Sequence, residues 1–351
     1  MHEHPGYEVQ TAQRVAKALG HEHEFVPLPA SYPLELVAEG SLIGDGMNAF
    51  HHAQALYLAE TLAKRGVDLL LNGLTLDTLL SDFALPRRHW QLLGRQWPGP
   101  WLPPAAGLDA VGGVWQMWSL ADQSCVRRLV KGGRLDEALG HAHERLVALL
   151  STLEAGAADP YLFRVFGTIA DASCTYCGIA MLAVDRLAPG RRVGGDTEVL
   201  DLFFTLPAQH RLSHGLYTSL FSQIDRRCRW VPYSNTELPV SRFFGPWESV
   251  AAPLQRALSR ALEAAVSRVS ERQARRFDRS AWPSPAAGVR HSPEWQQYLR
   301  GKVESSRLAD MGLVSGDGLR DLVNELIAGR DEHWAVIGTW ITLEEWLARY
   351  G

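Results

Sequence analysis

Residues 67–83 (VDLLLNGLTLDTLLSDF) constrain the fold more than any other part of the sequence. They begin with a short apolar run, which is typical of a parallel β-strand buried on both faces. Asn72 and Gly73 interrupt the run, and Asp77 follows in the turn. Because ligands bind beyond the carboxyl ends of strands in open α/β sheets, this polar loop is the expected place for chemistry. Spacing alone favours a plainer interpretation, a strand-to-helix turn with Asp77 near a helix N-cap.

The elements around this stretch predict an α/β fold. Apolar residues at helical spacing cover 8–19, 33–42 and 51–65, and residues 23–28 (HEFVPL) predict a short strand. The order helix, strand, helix, helix, strand is typical of a layer with parallel pairing. A layer of this kind usually begins with a central strand, and the pattern predicts no strand before the first helix.

Beyond residue 85 the pattern becomes mainly helical. Residues 86–113 are rich in proline, glycine and tryptophan and are interpreted as an irregular excursion. The predicted helices that follow are 115–130, 134–154, 160–186, 200–206, 253–279, 294–310, 317–329 and 331–350. The helix over 253–279 is long and basic, residues 282–293 form a predicted linker, and Trp340 and Trp346 are expected to be buried.

Composition excludes several classes of partner. The chain has 351 residues, of which 46% are hydrophobic and 21% charged, so it can bury a large core. A net charge of −4 gives no electrostatic footprint for nucleic acid or an anionic membrane, and no apolar run has the length of a bilayer span. The N-terminus shows no signal peptide, and four cysteines suit a reducing compartment. A cytoplasmic protein without nucleic-acid or membrane partners is therefore expected.

Several strings, taken in order, resemble the synthetase domain of glutamine-hydrolysing asparagine synthases, and most of all the asparagine-synthase-like proteins of polysaccharide gene clusters. Residues 72–83 resemble the second nucleotide loop of that family, Ser-Gly-Glu-Gly-Ser-Asp-Glu-Leu-Phe-Gly-Gly-Tyr. Residues 191–207 (RRVGGDTEVLDLFFTLP) resemble the segment that reads Arg-x-Pro-Phe-Leu-Asp before a helix. The other strings that carry the resemblance are 12–28, 214–240 and 341–351.

The resemblance implies an α/β ATP-pyrophosphatase (adenine nucleotide alpha hydrolase-like) fold, incomplete at its N-terminus, with a large helical C-terminal lobe. Residues 1–90 would be the remnant of the nucleotide-binding layer, and residues 91–351 the mainly helical lobe. Family members bind ATP and Mg²⁺, adenylate a carboxylate, and let ammonia or an amine attack it. Position by position, Asn72 and Gly73 match residues that touch the nucleotide, and Asp77 matches the aspartate associated with Mg²⁺. The implied partners are a small-molecule or peptide carboxylate and a separate glutaminase or other amine donor.

The sequence departs from the family at positions that matter for catalysis. No Ser-Gly-Gly-x-Asp-Ser pyrophosphate loop and no glutaminase domain occurs in it. The family's catalytic lysine falls at or near His214, and a neutral histidine is a poor replacement for a permanent cation at pH 7. In the Arg-x-Pro-Phe-Leu-Asp segment, Arg191 and Asp196 remain while the three residues that end at Gly195 replace Pro-Phe-Leu.

Three functions stay open at this point. The first is an ATP-dependent amide-forming ligase that is inactive or incomplete as this chain, because the sequence is truncated or degenerate. The second is a non-catalytic relative that binds a partner or acts as a scaffold. The third is a peptide macrocyclase-type amide ligase, which needs no glutaminase domain.

Other side chains that often form sites have unfavourable spacing. Cys174 and Cys177 have the C-x-x-C spacing, but no second pair exists and the string lies in a predicted helix, which favours buried small hydrophobes. Ser213 precedes His214 but lacks the Gly-x-Ser-x-Gly turn of a serine nucleophile. Four pairs of neighbouring histidines do not have metal-ligand spacing, namely His2/His4, His21/His23, His51/His52 and His141/His143 with Glu144.

Overall fold

The computed structural model of the chain describes residues 7–29, 31–73, 76, 87–92, 95–101, 123–152, 176–206 and 285–351, with a few positions between 216 and 258. The described residues are mostly helical, with one small parallel sheet and one antiparallel pair of strands.

In chain order, the α-helices and strands are α1 (Tyr7–Leu19), α2 (Tyr32–Ile43), α3 (Ala55–Lys64), β1 (Leu70–Asn72), β2 (Arg87–Leu92), β3 (Arg95–Trp101), α4 (Gln123–Leu129), α5 (Arg134–Thr152), α6 (Tyr176–Asp185), β4 (Gly190–Arg192), α7 (Thr197–Thr205), α8 (Pro285–His291), α9 (Pro293–Glu304), α10 (Arg307–Asp310), α11 (Gly316–Ile327) and α12 (Trp334–Tyr350). Short 3₁₀ helices cover Phe50–Gln54, Val193–Gly195, Cys228–Trp230 and Asp331–His333. None of the helices in the described ranges combines the length and the hydropathy that crossing a bilayer demands.

The chain divides into two compact units. The first is drawn from Met1–Pro27, Leu76–Ala106 and Asp196–Pro283, and the second from Leu28–Thr75, Gly107–Gly195 and Ser284–Gly351. The predicted division into a nucleotide-binding layer (1–90) and a helical lobe (91–351) stays a prediction. The predicted helix over 253–279 lies outside the described residues, apart from a single position within it.

The first unit contains a pair of strands where the sequence predicted an irregular excursion. Strand β2 pairs antiparallel with β3, with Trp90 opposite Trp97 and Leu92 opposite Arg95. The prediction for these residues was wrong, although Pro98 and Pro100 explain why it was made. Both strands of a two-stranded sheet are edge strands, and an edge strand tolerates a residue that has no backbone N–H to donate.

The predicted strand over residues 23–28 was also wrong, because residues 21–29 have neither helical nor strand structure. By contrast, the predicted helices over 8–19 and 33–42 are confirmed as α1 and α2. A helix satisfies its backbone hydrogen bonds within itself, whereas a strand needs a partner that local sequence does not specify.

The core of the second unit is built around Phe50, whose side chain is fully buried. Its ring centroid lies 6.1 Å from that of Trp295 and 6.0 Å from that of Trp334. Its backbone N–H donates to Thr342 Oγ1 over 2.8 Å, and the Thr342 hydroxyl donates to the Gly338 carbonyl. These contacts hold the chain in place at the start of the predicted 51–65 helix. The chain there, Phe50–Gln54, forms a 3₁₀ helix, and the α-helix begins only at Ala55.

Serine side chains cap the N-termini of α9, α10 and α11, which start close to the predicted positions or within a predicted helix. Ser292 Oγ accepts a hydrogen bond from Trp295 N, Ser306 Oγ from Ala309 N, and Ser315 Oγ from Gly318 N. The cap at Ser306 divides the predicted 294–310 helix into α9 and α10.

The predicted linker over 282–293 is wrong in part, because Pro285–His291 is helical. Ala286 and Val289 of this helix are buried in the core of the second unit at 2% and 0% exposure. Packing therefore stabilises a helix in a segment whose proline and glycine content predicted none.

Of the two tryptophans expected to be buried, Trp340 is buried and Trp346 is only partly so. The indole N–H of Trp346 donates to Asp45 Oδ1 over 2.9 Å. Gly46 has a φ of +69°, and a Cβ there would lie 2.8 Å from the Trp346 ring. Only glycine combines that backbone angle with so close an approach.

Because His51 is buried, we expect the free energy of unfolding of the second unit to fall in mild acid. Burial, and after it the neighbouring His52, lowers the pKa of His51 to about 3, and burial lowers the pKa of His52. An unfolded histidine titrates near 6.5, so below that pH the unfolded state binds more protons than the folded state. The free energy of unfolding should then fall by about 1.4 kcal/mol for each pH unit below ~6.5 through His51 alone.

This expectation is checked by urea unfolding between about pH 7 and about pH 5, a range above the titration of ordinary carboxylates. His51→Gln should flatten the dependence of unfolding free energy on pH. His141→Gln is the matched control, because the His141 side chain is 69% exposed. Equal slopes for the unmodified chain and the His51 variant would contradict the prediction.

Candidate functional site

Strands β1 and β4 form a parallel pair, although they lie far apart in the sequence. Leu70 is opposite Gly190, Leu71 opposite Arg191, and Asn72 opposite Arg192. The Leu70 N–H also donates to the carbonyl of Pro189 over 3.0 Å. Because the strands are parallel, both end at the same edge of the sheet. Gly73 leaves β1 at that edge, and the 3₁₀ turn Val193–Gly195 leaves β4 there.

One face of β1 packs on helices α3 and α6. Leu70 contacts a small buried cluster of Ala59, Met181 and Val184. The side-chain amide of Asn72 donates to Met181 Sδ over 2.5 Å, which fixes the orientation of Asn72 at the strand end.

The opposite face of β1 is exposed, which corrects the prediction of a strand buried on both faces. Leu69 is 47% exposed and Leu71 is 66% exposed. The strand covers Leu70–Asn72, so Leu69 lies just before it and Asn72, which interrupts the apolar run, belongs to it. The apolar run is typical of a strand buried on both faces. In the part of the chain that the structure describes, however, α3 and α6 cover the face with Leu70, and Leu71 on the other face is exposed.

Gly190, the first residue of β4, lies close to side chains of α6. The Gly190 N–H donates to Asp185 Oδ1 over 2.9 Å. A Cβ on Gly190 would lie 2.5 Å from Met181 Cε and 2.6 Å from Asp185 Oδ1. The absence of a side chain at Gly190 lets β4 approach α6 closely.

The sheet edge combines two cations with an amide. Arg191 is exposed and Arg192 is half-buried, while Gly194 in the following turn is buried. Arginine is well suited to phosphate and carboxylate groups, because its planar guanidinium donates two parallel hydrogen bonds. Together with the flexible backbone at Gly73, this set of donors suits a polyphosphate anion.

The residues predicted to form the nucleotide site are only partly described. Asn72 and Gly73 lie at the edge of the sheet, as above, whereas Asp77 and His214 lie outside the described residues. Asp196 belongs to the first unit, where its Oδ1 accepts a hydrogen bond from Glu198 N over 2.9 Å and caps α7.

The other sequence candidates do not form a metal site within the described residues. Cys177 lies in helix α6, as predicted, and Cys174 lies outside the described part of the chain. His141 Nδ1 lies 3.4 Å from Glu144 Oε2 on an exposed face of α5. No cluster of three or more potential metal ligands occurs in the ranges that the structure describes.

Sequence reasoning missed Arg192 as a candidate binding residue. Its neighbour Arg191 was singled out because it matches the family's Arg-x-Pro-Phe-Leu-Asp segment, and nothing local distinguishes the second arginine. Only the strand pairing places Arg192 opposite Asn72.

Comparisons with models of protein families, with curated proteins and with solved structures found no match to this chain.

Proposed function

We propose that the edge of the β1–β4 sheet binds the phosphates of ATP, and that the chain is an asparagine-synthase-like, ATP-dependent amide-forming ligase. Such a ligase activates a carboxylate as an adenylate and then admits ammonia or an amine. The observation that supports this proposal is the parallel pairing of Leu70–Asn72 with Gly190–Arg192.

The pairing matters because the resemblance rests on two strings that are distant in the sequence. One begins at Asn72 and the other at Arg191, and each was matched to the family separately. If the resemblance were accidental, the two strings would have no reason to adjoin. In the structure Asn72 and Arg192 are partners in one parallel ladder, so both strings leave the sheet at the same edge.

The residues at this edge have complementary roles in the proposed site. Arg191 and Arg192 would offset the negative charge of the phosphates, including the charge that develops on departing pyrophosphate. The Asn72 amide, one hydrogen of which is donated to Met181 Sδ, would donate its second hydrogen to a phosphate oxygen, and Gly73 would let the backbone approach the nucleotide. Mg²⁺, when bound, neutralises phosphate charge, and Asp77 would hold it with a carboxylate oxygen.

Two features limit the proposed chemistry. His214 stands at or near the position where the family has lysine, so little ligase turnover is expected even if ATP binds. A peptide carboxylate joined to its own amine, as in a macrocyclase, is the alternative substrate. Binding of ATP is therefore a sharper test than turnover.

The test is calorimetric titration of the purified chain with ATP and Mg²⁺. Arg192→Ala should weaken binding about tenfold or more, because a hydrogen bond to a charged group contributes about 1.5–3 kcal/mol. Arg186→Ala is the matched control, since Arg186 also lies in the second unit but pairs with Glu39 over 3.2 Å. Asp77→Ala should abolish the Mg²⁺-dependent part of the affinity.

Unchanged affinity in both the Arg192 and Asp77 variants would overturn the proposed site. No binding at all by a chain that melts cooperatively would favour the second candidate, a non-catalytic binding or scaffold protein. The exposure of Leu69 and Leu71 on one face of β1 favours that candidate, because adjacent exposed apolar side chains are common at protein–protein contacts.

A further inference from the structure

Cys125, His333, Glu325 and Arg128 form a continuous chain of polar contacts in the second unit. Cys125 Sγ lies 3.1 Å from His333 Nδ1, and His333 Nε2 lies 2.6 Å from Glu325 Oε2. Arg128 then donates two hydrogen bonds to the Glu325 carboxylate, over 2.9 Å and 3.1 Å. The four residues come from α4, α11 and the 3₁₀ helix Asp331–His333.

The order of these groups is that of an activated thiol. One nitrogen of the imidazole faces the sulfur, and the other faces a carboxylate that holds the ring in place. A nucleophile within hydrogen-bond reach of a base, with the base oriented by a third group, is the geometric signature of nucleophilic activation. Cys125 and His333 are separated by 208 positions in the sequence, so no local motif indicates the arrangement.

Charge along the chain supports the same role. Arg128, and after it His333, lower the pKa of Glu325 to about 2, so this carboxylate is ionised at neutral pH. The carboxylate lies 2.6 Å from Nε2 and holds the ring with Nδ1 facing the sulfur. An imidazole held against the sulfur can take the thiol proton and so give the thiolate, which is the reactive form of cysteine.

Burial restricts what can react at this sulfur. Cys125 is 2% exposed and His333 is 3% exposed, whereas the side chains of Arg128 and Glu325 are 40% and 31% exposed. A proton can therefore reach solvent through the Glu325 end, but an acyl or peptide substrate cannot reach the sulfur. A reactant at this sulfur therefore has to be small.

We propose that Cys125 is an oxidation site at which hydrogen peroxide converts the thiol to a sulfenic acid, with His333 as the base. The thiolate attacks one peroxide oxygen, an S–O bond forms, and the O–O bond breaks. Sulfur is oxidised and peroxide is reduced. The departing hydroxide takes the proton that His333 received from the thiol and leaves as water.

The experiment treats the full, folded chain with hydrogen peroxide, traps sulfenic acid with dimedone and locates the adducts by peptide mass spectrometry. Cys228 is the internal reference, because it is buried to a similar degree at 4% exposure. Cys125 should form the adduct at least about tenfold faster than Cys228. Its rate should depend less on pH between about pH 7 and about pH 8.5 than the rate at Cys228, because His333 takes the thiol proton within the contact, whereas an ordinary thiol reacts faster as pH rises.

Glu325→Gln should slow the reaction at Cys125 about tenfold and restore a rise in rate with pH, while leaving the rate at Cys228 unchanged. Glu332→Gln is the matched control, because Glu332 is an exposed glutamate on the same 3₁₀ helix as His333. Thermal melting of each variant ensures that only folded protein is compared. Equal rates at the two cysteines, or an unchanged rate at Cys125 in folded Glu325→Gln, would overturn the proposal.

Discussion

Glu344→Ala should lower the free energy of unfolding by about 3–5 kcal/mol, because the variant leaves several buried donors without an acceptor. The Glu344 side chain is 3% exposed and accepts four hydrogen bonds. The donors are Ser306 Oγ (2.5 Å), Arg307 N (2.9 Å), Leu308 N (3.2 Å) and Trp340 Nε1 (3.0 Å). Two of these donors are N-terminal backbone groups of α10, so one carboxylate both caps that helix and attaches it to α12.

The effect is measured by urea unfolding with the m-value checked for each variant. Glu344→Gln should be destabilised less than Glu344→Ala, because the amide keeps one acceptor oxygen of nearly the same shape. Glu304→Ala is the matched control, since Glu304 is exposed at the end of α9, and its effect should stay within about 0.5 kcal/mol. A cost for Glu344→Ala as small as that of the control would contradict the prediction.

Phe50→Ala should cost about 3–5 kcal/mol of unfolding free energy, the range that is typical when a buried phenylalanine is reduced to alanine. The loss has two causes. Alanine buries less apolar area than phenylalanine on folding, and the substitution leaves a cavity. Trp295 and Trp334 line that cavity, and their large rings cannot move into it without losing contacts elsewhere.

Leu58→Ala provides the matched control for Phe50→Ala. Leu58 lies on α3 with 38% exposure, and alanine has an equal or better helix propensity, so the change should cost less than about 1 kcal/mol. Phe50→Leu should fall between the two variants, because leucine fills part of the space. If Phe50→Ala and Leu58→Ala had similar effects, Phe50 would not be the centre of this core.

The candidate nucleotide site could be predicted only in part. The residues that follow the apolar run, Asn72 and Gly73, stood out because they interrupt a strand pattern, and they do lie at the end of β1. The contribution of Arg192 could not be predicted, since it depends on the register between β1 and β4. The contact between Cys125 and His333 could not be predicted from the sequence either, because it depends on how three helical segments pack.

The sequence by itself determined the elements whose stabilising interactions are local. Apolar spacing specified α1 and α2, and serine residues cap the starts of α9, α10 and α11, because helical hydrogen bonds and caps join residues three or four positions apart. The run 23–28 shows the limit of this reasoning, since it has the composition of a strand but no strand structure. Only the tertiary structure decided which strands pair, which face of β1 is covered and which polar groups meet. Those outcomes depend on contacts between segments far apart in the chain, and no short stretch of sequence records them.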